Sequence, residues 1–168
     1  MNNKQVVVIR KSNIFKYVDL ESLSEAKLGS KTGSLGEEII KTYLPHSYYK
    51  GYISVEDMFI EVQKGNLDAA IIDYTIAKDN IKKSGFSDLI TIESIKLTED
   101  QYAIGFRYGS DITQKINGII KNMTLDGTLN EIAEKYDLLN LYITGKKVKN
   151  LTGVFFLMTL YCVLIIIL

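Results

Sequence analysis

Two stretches carry the residues that could do chemistry. Residues 27–38 read Lys-Leu-Gly-Ser-Lys-Thr-Gly-Ser-Leu-Gly-Glu-Glu, and residues 67–73 read Leu-Asp-Ala-Ala-Ile-Ile-Asp. The first has the pattern of a short strand, a glycine turn and the opening of a helix. Gly33 and Gly36 can take backbone angles closed to other residues. Ser34 suits the helix N-cap, and Glu37 three residues on completes a capping box. Glu37 and Glu38 also suit the positive end of the helix dipole. Such a junction leaves backbone N–H groups to point at an anion. The second stretch ends an apolar run on a carboxylate, Asp73, which suits a cation. Donors of the turn at Thr32–Leu35 beside a lone acid are what a zwitterion such as an amino acid requires. Two alternatives stand beside this reading. The turn is equally the shape of a plain strand-to-helix connection, and Asp68 competes with Asp73 for the ligand, although it lies at the start of the same run.

Other chemistry finds little support. Lys31 precedes the turn glycine, whereas a phosphate loop needs Gly-Lys-Ser/Thr after a four-residue spacer, so that motif is rejected. The single cysteine, Cys162, excludes an internal disulfide and a cysteine-based metal cluster. The single histidine, His46, sits in Leu-Pro-His-Ser-Tyr-Tyr and reads as a surface loop residue. There is no His-Glu-x-x-His, no cysteine–histidine pair and no nucleophile elbow. Neither an enzyme, nor a metal site, nor a cofactor is expected. Lys plus Arg and Asp plus Glu both number 20, so no bulk charge points to nucleic acid.

The elements that must position these residues alternate. Strands are predicted over 5–9, 26–30, 48–52, 67–73, 89–93 and 101–106. A short helical turn is predicted near 20–25, and helices over 34–43, 54–64, 74–83, 111–123 and 128–136. The helix from Ser54, with Asp57 at its capping position, shows Val55, Met58, Phe59 and Val62 as an apolar stripe and stops at Gly65. Strand–helix alternation argues an α/β fold with a largely parallel sheet. Ligands of such sheets sit beyond the carboxyl ends of the strands, where the turn and Asp73 both fall.

The C-terminal stretch differs. Residues 150–168 hold no charged side chain, and 154–168 are nearly all apolar. A helix from Gly153 would be about 24 Å long, and extending it back to Asn150 brings it close to a bilayer span of ~30 Å. A transmembrane anchor is expected, the alternative being a buried terminal helix. No secretory signal is expected ahead of residue 6. Lys146, Lys147 and Lys149 flank the tail and would put the preceding domain on the cytoplasmic side.

Five blocks in order give the chain a resemblance. Val-Val-Ile-Arg-Lys at 7–11 looks like a strand crossing between lobes. The run at 23–38 is similar to the opening of a second lobe. Gly-Asn-Leu-Asp-Ala-Ala-Ile-Ile-Asp at 65–73 resembles that lobe's acid-tipped strand. Tyr-Ala-Ile-Gly-Phe-Arg at 102–107 looks like the returning strand, and 117–136 is similar to the closing helices. Together they resemble type-2 periplasmic solute-binding proteins, bacterial extracellular solute-binding proteins of family 3, of the amino-acid-binding kind. The resemblance implies a periplasmic-binding-protein-like type II lobe, a mostly parallel sheet flanked by helices. It implies that Thr32, Gly33 and Ser34 donate to the ligand carboxylate, with Lys31 near a polar ligand side chain and Asp73 on the ligand ammonium. Leu35 stands where many members carry threonine.

In that family an entire first lobe precedes the crossing strand, whereas here only residues 1–5 do. The expected organisation is therefore a crossing strand and linker (1–25), a second lobe (26–95), a returning strand with closing helices (96–140) and a transmembrane helix (150–168). A truncated gene, or another chain supplying the missing lobe, would explain this. The expected function is a membrane-tethered, amino-acid-type binding domain for ABC uptake, single-pass and extracytoplasmic, partnered by an ABC permease. The lysine cluster and the missing signal argue the opposite orientation. The alternatives are the sensing ectodomain of a receptor kinase, cyclase or glutamate-receptor-like channel, and a remnant that binds nothing. The start of the tail, 150–157, is similar to the last membrane helix of ionotropic glutamate receptors.

Overall fold

A computed structural model describes residues 1–82, 85–139 and 141. The described residues divide into two compact units, the first Met1–Gly105 and the second beginning at Phe106. The expected tail helix at 150–168, Cys162 and the lysines at 146, 147 and 149 lie outside the described residues. Among the described residues no helix is long and apolar enough to cross a membrane.

The first unit is built on strand β1 (Asn2–Arg10), longer at both ends than the apolar run 5–9. It is followed by β2 (Lys27–Lys31), α1 (Leu35–Tyr43), β3 (Tyr48–Tyr52), α2 (Val55–Lys64), β4 (Ala69–Asp73), α3 (Tyr74–Lys82), β5 (Leu89–Ile92) and β6 (Glu99–Gln101). The sheet order is β3-β2-β4-β1-β5, with β6 on the first residues of β1. β2 runs parallel to β3 and to β4, whereas β1 runs antiparallel to β4, β5 and β6. The sheet is thus mixed, and the largely parallel expectation is corrected. Strand direction is invisible in a run such as Val-Val-Val-Ile, which is buried on both faces and reads the same either way. The other five strands share one direction, so the carboxyl ends of β2, β3, β4 and β5 meet at one edge, where β1 begins.

The returning strand expected at 101–106 is also corrected. The paired residues are Glu99–Gln101, and 102–107 form no strand. Gly105 interrupts that segment, and glycine weakens a strand interior.

Period-two alternation divides the core. Val7, Ile9, Leu28, Ala69, Ile71 and Ile92 pack with Ile39 and Ile40 of α1, and with Tyr17 and Leu23 of the segment between β1 and β2. Short 3-10 turns at Lys11–Asn13 and Glu21–Leu23 take up that segment, the second within the expected helical turn. Helix α2 begins as its sequence foretells. Ser54 Oγ accepts from the Asp57 N–H at 3.2 Å, Gly65 ends the helix at φ +81°, and Met58, Phe59 and Val62 are buried.

The second unit contains α4 (Ile112–Leu125) and α5 (Thr128–Lys135), joined through Asp126 and Gly127, the latter at φ +88°. Asp126 Oδ1 accepts from the Thr128 N–H at 2.9 Å. No residue of α4 is buried.

Candidate functional site

The turn and the acid come together at the carboxyl edge of the sheet. β2 pairs with β4 at Leu28↔Ala69 and Gly29↔Ala70, so the ends of the two strands are level. α1 starts directly over β4. A Cβ added to Gly36 would lie 2.5 Å from the Ile71 carbonyl oxygen, two residues before Asp73. Glycine is required at Gly36 for this close approach, and at Gly33 for its φ of +73°.

The backbone of the turn is already employed. The Thr32 N–H donates to the Tyr52 carbonyl at 2.8 Å, and the Ser34 N–H donates to the Lys31 carbonyl at 3.1 Å. The Gly33 N–H donates to Glu37 Oε2 at 2.6 Å. Ser34 is the N-cap residue, but its side chain makes no capping hydrogen bond, so only the returning arm of the expected capping box forms, and it reaches Gly33. Glu37 also receives Lys41 Nζ at 2.5 Å. Its carboxyl is held below the usual range, first by Lys41 and then by the Gly33 N–H. A carboxylate of the chain itself therefore sits on one of the N–H groups the sequence offers to a ligand. Lys31, Thr32 and Gly33 are exposed and Ser34 is half-buried.

Asp73 is half-buried and ends β4. Its Oδ1 accepts from Asn3 Nδ2 at 2.5 Å and from Gln5 Nε2 at 2.8 Å. Both amides come from the start of β1, brought there by the antiparallel pairing Gln5↔Asp73. Nearby, the Tyr102 hydroxyl and Thr75 Oγ1 lie 3.2 Å apart. Burial pushes the Tyr102 hydroxyl up, the Thr75 bond acts against this, and the charges of Asp73 and Asp100 add to the rise. Asn3 and Gln5 were missed in the sequence, where nothing but antiparallel pairing ties them to Asp73.

Asp68 is occupied elsewhere. It precedes β4, at the opposite end from Asp73. It accepts from the Tyr17 hydroxyl at 2.7 Å, from the Lys27 N–H at 3.0 Å and from Lys16 Nζ at 3.5 Å. Burial raises its carboxyl, but those bonds outweigh burial and leave it below the ordinary value. Tyr17 is 2 % exposed, so Asp68 pins the β1–β2 segment to the sheet. His46 is exposed. Among the described residues no group of three or more His, Cys, Asp or Glu could hold a metal ion.

Comparison with known proteins agrees with this architecture. The family model for bacterial extracellular solute-binding proteins, family 3, matches residues 40–138. The arginine-binding extracellular protein ArtP of Bacillus subtilis is 29 % identical over 147 residues, covering 86 % of this chain and 54 % of that protein. An amino acid ABC transporter substrate-binding protein, AbpA from Streptococcus pneumoniae, solved bound to L-arginine, aligns with a TM-score of 0.72 at 20 % identity. The match covers 84 % of this chain and 60 % of that one. A mutant of ArgBP from T. maritima aligns with a TM-score of 0.69 at 25 % identity, covering 81 % and 58 %. The chain spans about half the length of the curated relatives it matches.

Proposed function

Because the chain belongs to the bacterial extracellular solute-binding proteins of family 3, we propose that it forms one wall of a binding site for an amino acid, for ABC-type uptake. The observation that carries this reading is the meeting of Asp73 and the α1 turn at one sheet edge, with Gly36 seated on the Ile71 carbonyl. In this reading Asp73 takes the ligand ammonium. Thr32, Gly33 and Ser34 receive the ligand carboxylate as it displaces Glu37 from the Gly33 N–H, and Lys31 lies beside the ligand side chain. L-Arginine is the first ligand to try, since a curated relative is named for binding it and a structural relative was solved with it.

A complementary lobe, on whatever polypeptide carries it, supplies the opposite wall, and an ABC permease receives the ligand. The uncharged stretch 150–168 tethers the domain to the membrane as a single span, with the lobe on the extracytoplasmic side. Binding rather than catalysis is the role assigned.

Calorimetry with a panel of amino acids, on the chain joined to a complementary lobe, tests the reading. Removing one partner of an ammonium–carboxylate pair closed away from water costs about 2–5 kcal/mol. Asp73→Asn should therefore weaken binding roughly thirtyfold to several-thousandfold. Unchanged affinity would take the central role from Asp73. The chain without that lobe should bind no tighter than about millimolar, because half the contacts are missing, yet still measurably within tens of millimolar, because one wall of contacts remains.

A further inference from the structure

The two side-chain amides on Asp73 come from a strand the site does not otherwise use. Asn3 is 5 % exposed and Gln5 is 4 % exposed, and both direct an N–H at the same carboxylate oxygen. A buried primary amide is expected to satisfy its carbonyl as well as its nitrogen. Asn3 does not. Its Oδ1 is closed off from solvent and has no donor among the described residues. Turning the amide over would put that carbonyl against the Asp73 carboxylate, so the orphaned acceptor is the cost of keeping Nδ2 on Asp73. A buried unsatisfied acceptor is a stability penalty. Local rules of this kind are broken mainly where function outweighs stability.

We propose that Asn3 and Gln5 are positioning residues, an amide clamp that presets the Asp73 carboxylate for the ligand ammonium. This rests on the amino-acid reading of the site and adds to it the residues that aim its acid. Two donors on one oxygen fix the rotation of the carboxyl group, so no ordering of that side chain remains to be done when ligand arrives. A clamp that served packing alone would show in stability and leave ligand discrimination untouched. A positioning clamp shows in discrimination between a ligand that has the ammonium and one that lacks it.

The test is a titration of the full chain, followed by amide NMR up to tens of millimolar. The probes are L-arginine and its deaminated analogue, 5-guanidinopentanoic acid, and thermal unfolding is measured alongside. The wild type should prefer arginine. Asn3→Leu removes the donor and the orphaned acceptor together, so its unfolding temperature should stay close to wild type. Its preference for arginine should fall about tenfold, the loss expected of one hydrogen bond to a charged group. Gln5→Met should do the same and serves if Asn3→Leu does not fold. A preference kept at the wild-type value in the folded variants overturns the clamp while leaving amino-acid binding intact. A wild-type chain that binds both probes equally overturns the pairing of Asp73 with the ammonium. A wild-type chain that binds neither probe, nor any other amino acid, overturns the functional reading and the clamp with it.

Discussion

Asp68 and Asp73 bracket one strand and separate two jobs that acids do. Asp73 ends β4 at the edge where ligands of α/β sheets bind, and neutral amides hold it. Asp68 starts the same strand and is spent on Tyr17, Lys27 and Lys16. Asp68→Asn should lower stability by about 1.5–3 kcal/mol, the range for a hydrogen bond to a charged group. It should leave ligand discrimination alone, and chemical denaturation beside calorimetry checks both halves. The pH dependence has a definite sign. The folded-state value of Asp68 is depressed, so its contribution is complete above the unfolded value of about 3.9 and is lost as pH falls through the folded value. Asp68→Asn should therefore flatten the acid limb of stability against pH, and a variant with the wild-type acid limb would assign that limb to other groups. The position of Asp73 at a strand end was legible in Leu-Asp-Ala-Ala-Ile-Ile-Asp. Its amide partners were not, because they lie about seventy residues away in sequence and only the register of an antiparallel pair joins them.

At the scale of elements, the glycine turn was legible in kind and misread in detail. The strand, turn and helix fall where the residue types put them, and Ser34 is the N-cap. The Ser34 side chain does not cap, since the Glu37 N–H it would receive donates to the Ser34 carbonyl at 3.1 Å, while the Glu37 side chain reaches Gly33. The two turn glycines are needed for different reasons, and alanine separates them. At Gly33 a Cβ meets nothing within 4 Å, and only its positive φ resists, worth about 1–2 kcal/mol. At Gly36 a Cβ meets backbone, the Ile71 carbonyl, at 2.5 Å, so α1 must lift from β4. Overpacking of that kind costs about 1–3 kcal/mol, at times more. Gly36→Ala should also move the α1 turn away from Asp73, while Gly33→Ala leaves their spacing unchanged. Denaturation of both variants, with amide shifts of residues 31–37 and 71–73, measures this. Equal shifts in the two variants would mean that α1 is not seated on β4 through Gly36. Strand directions could not be read in the same way, since β1 carries one continuous apolar run and its direction follows from its neighbours.

At the scale of the whole molecule, the chain holds two units of unequal substance. The first has a six-stranded sheet with buried side chains on both faces. In the second, α4 buries none of its residues, and Ile112, Ile119, Ile120 and Leu125 are 47, 52, 41 and 76 % exposed. The uncharged stretch 150–168 bears on where the molecule resides. If it inserts in a bilayer, deleting it should move the protein from the membrane to the soluble fraction, and a full-length protein soluble without detergent would refute the tether. The helices bear on what completes the fold. Helices shorter than ~12–15 residues are marginal in water unless an apolar face is packed. α4 has 14 residues and α5 has 8. Opening free energy follows local burial, so amide exchange is fast where few apolar contacts must break. Amides over 112–135 should therefore exchange faster than those of β1, β2 and β4. Adding a complementary lobe that covers the exposed isoleucines of α4 should slow them, while the sheet, already packed, changes little. Hydrogen exchange on the chain alone and with that lobe decides the matter. Equal protection of helices and sheet in the chain alone would show that α4 and α5 need no further partner.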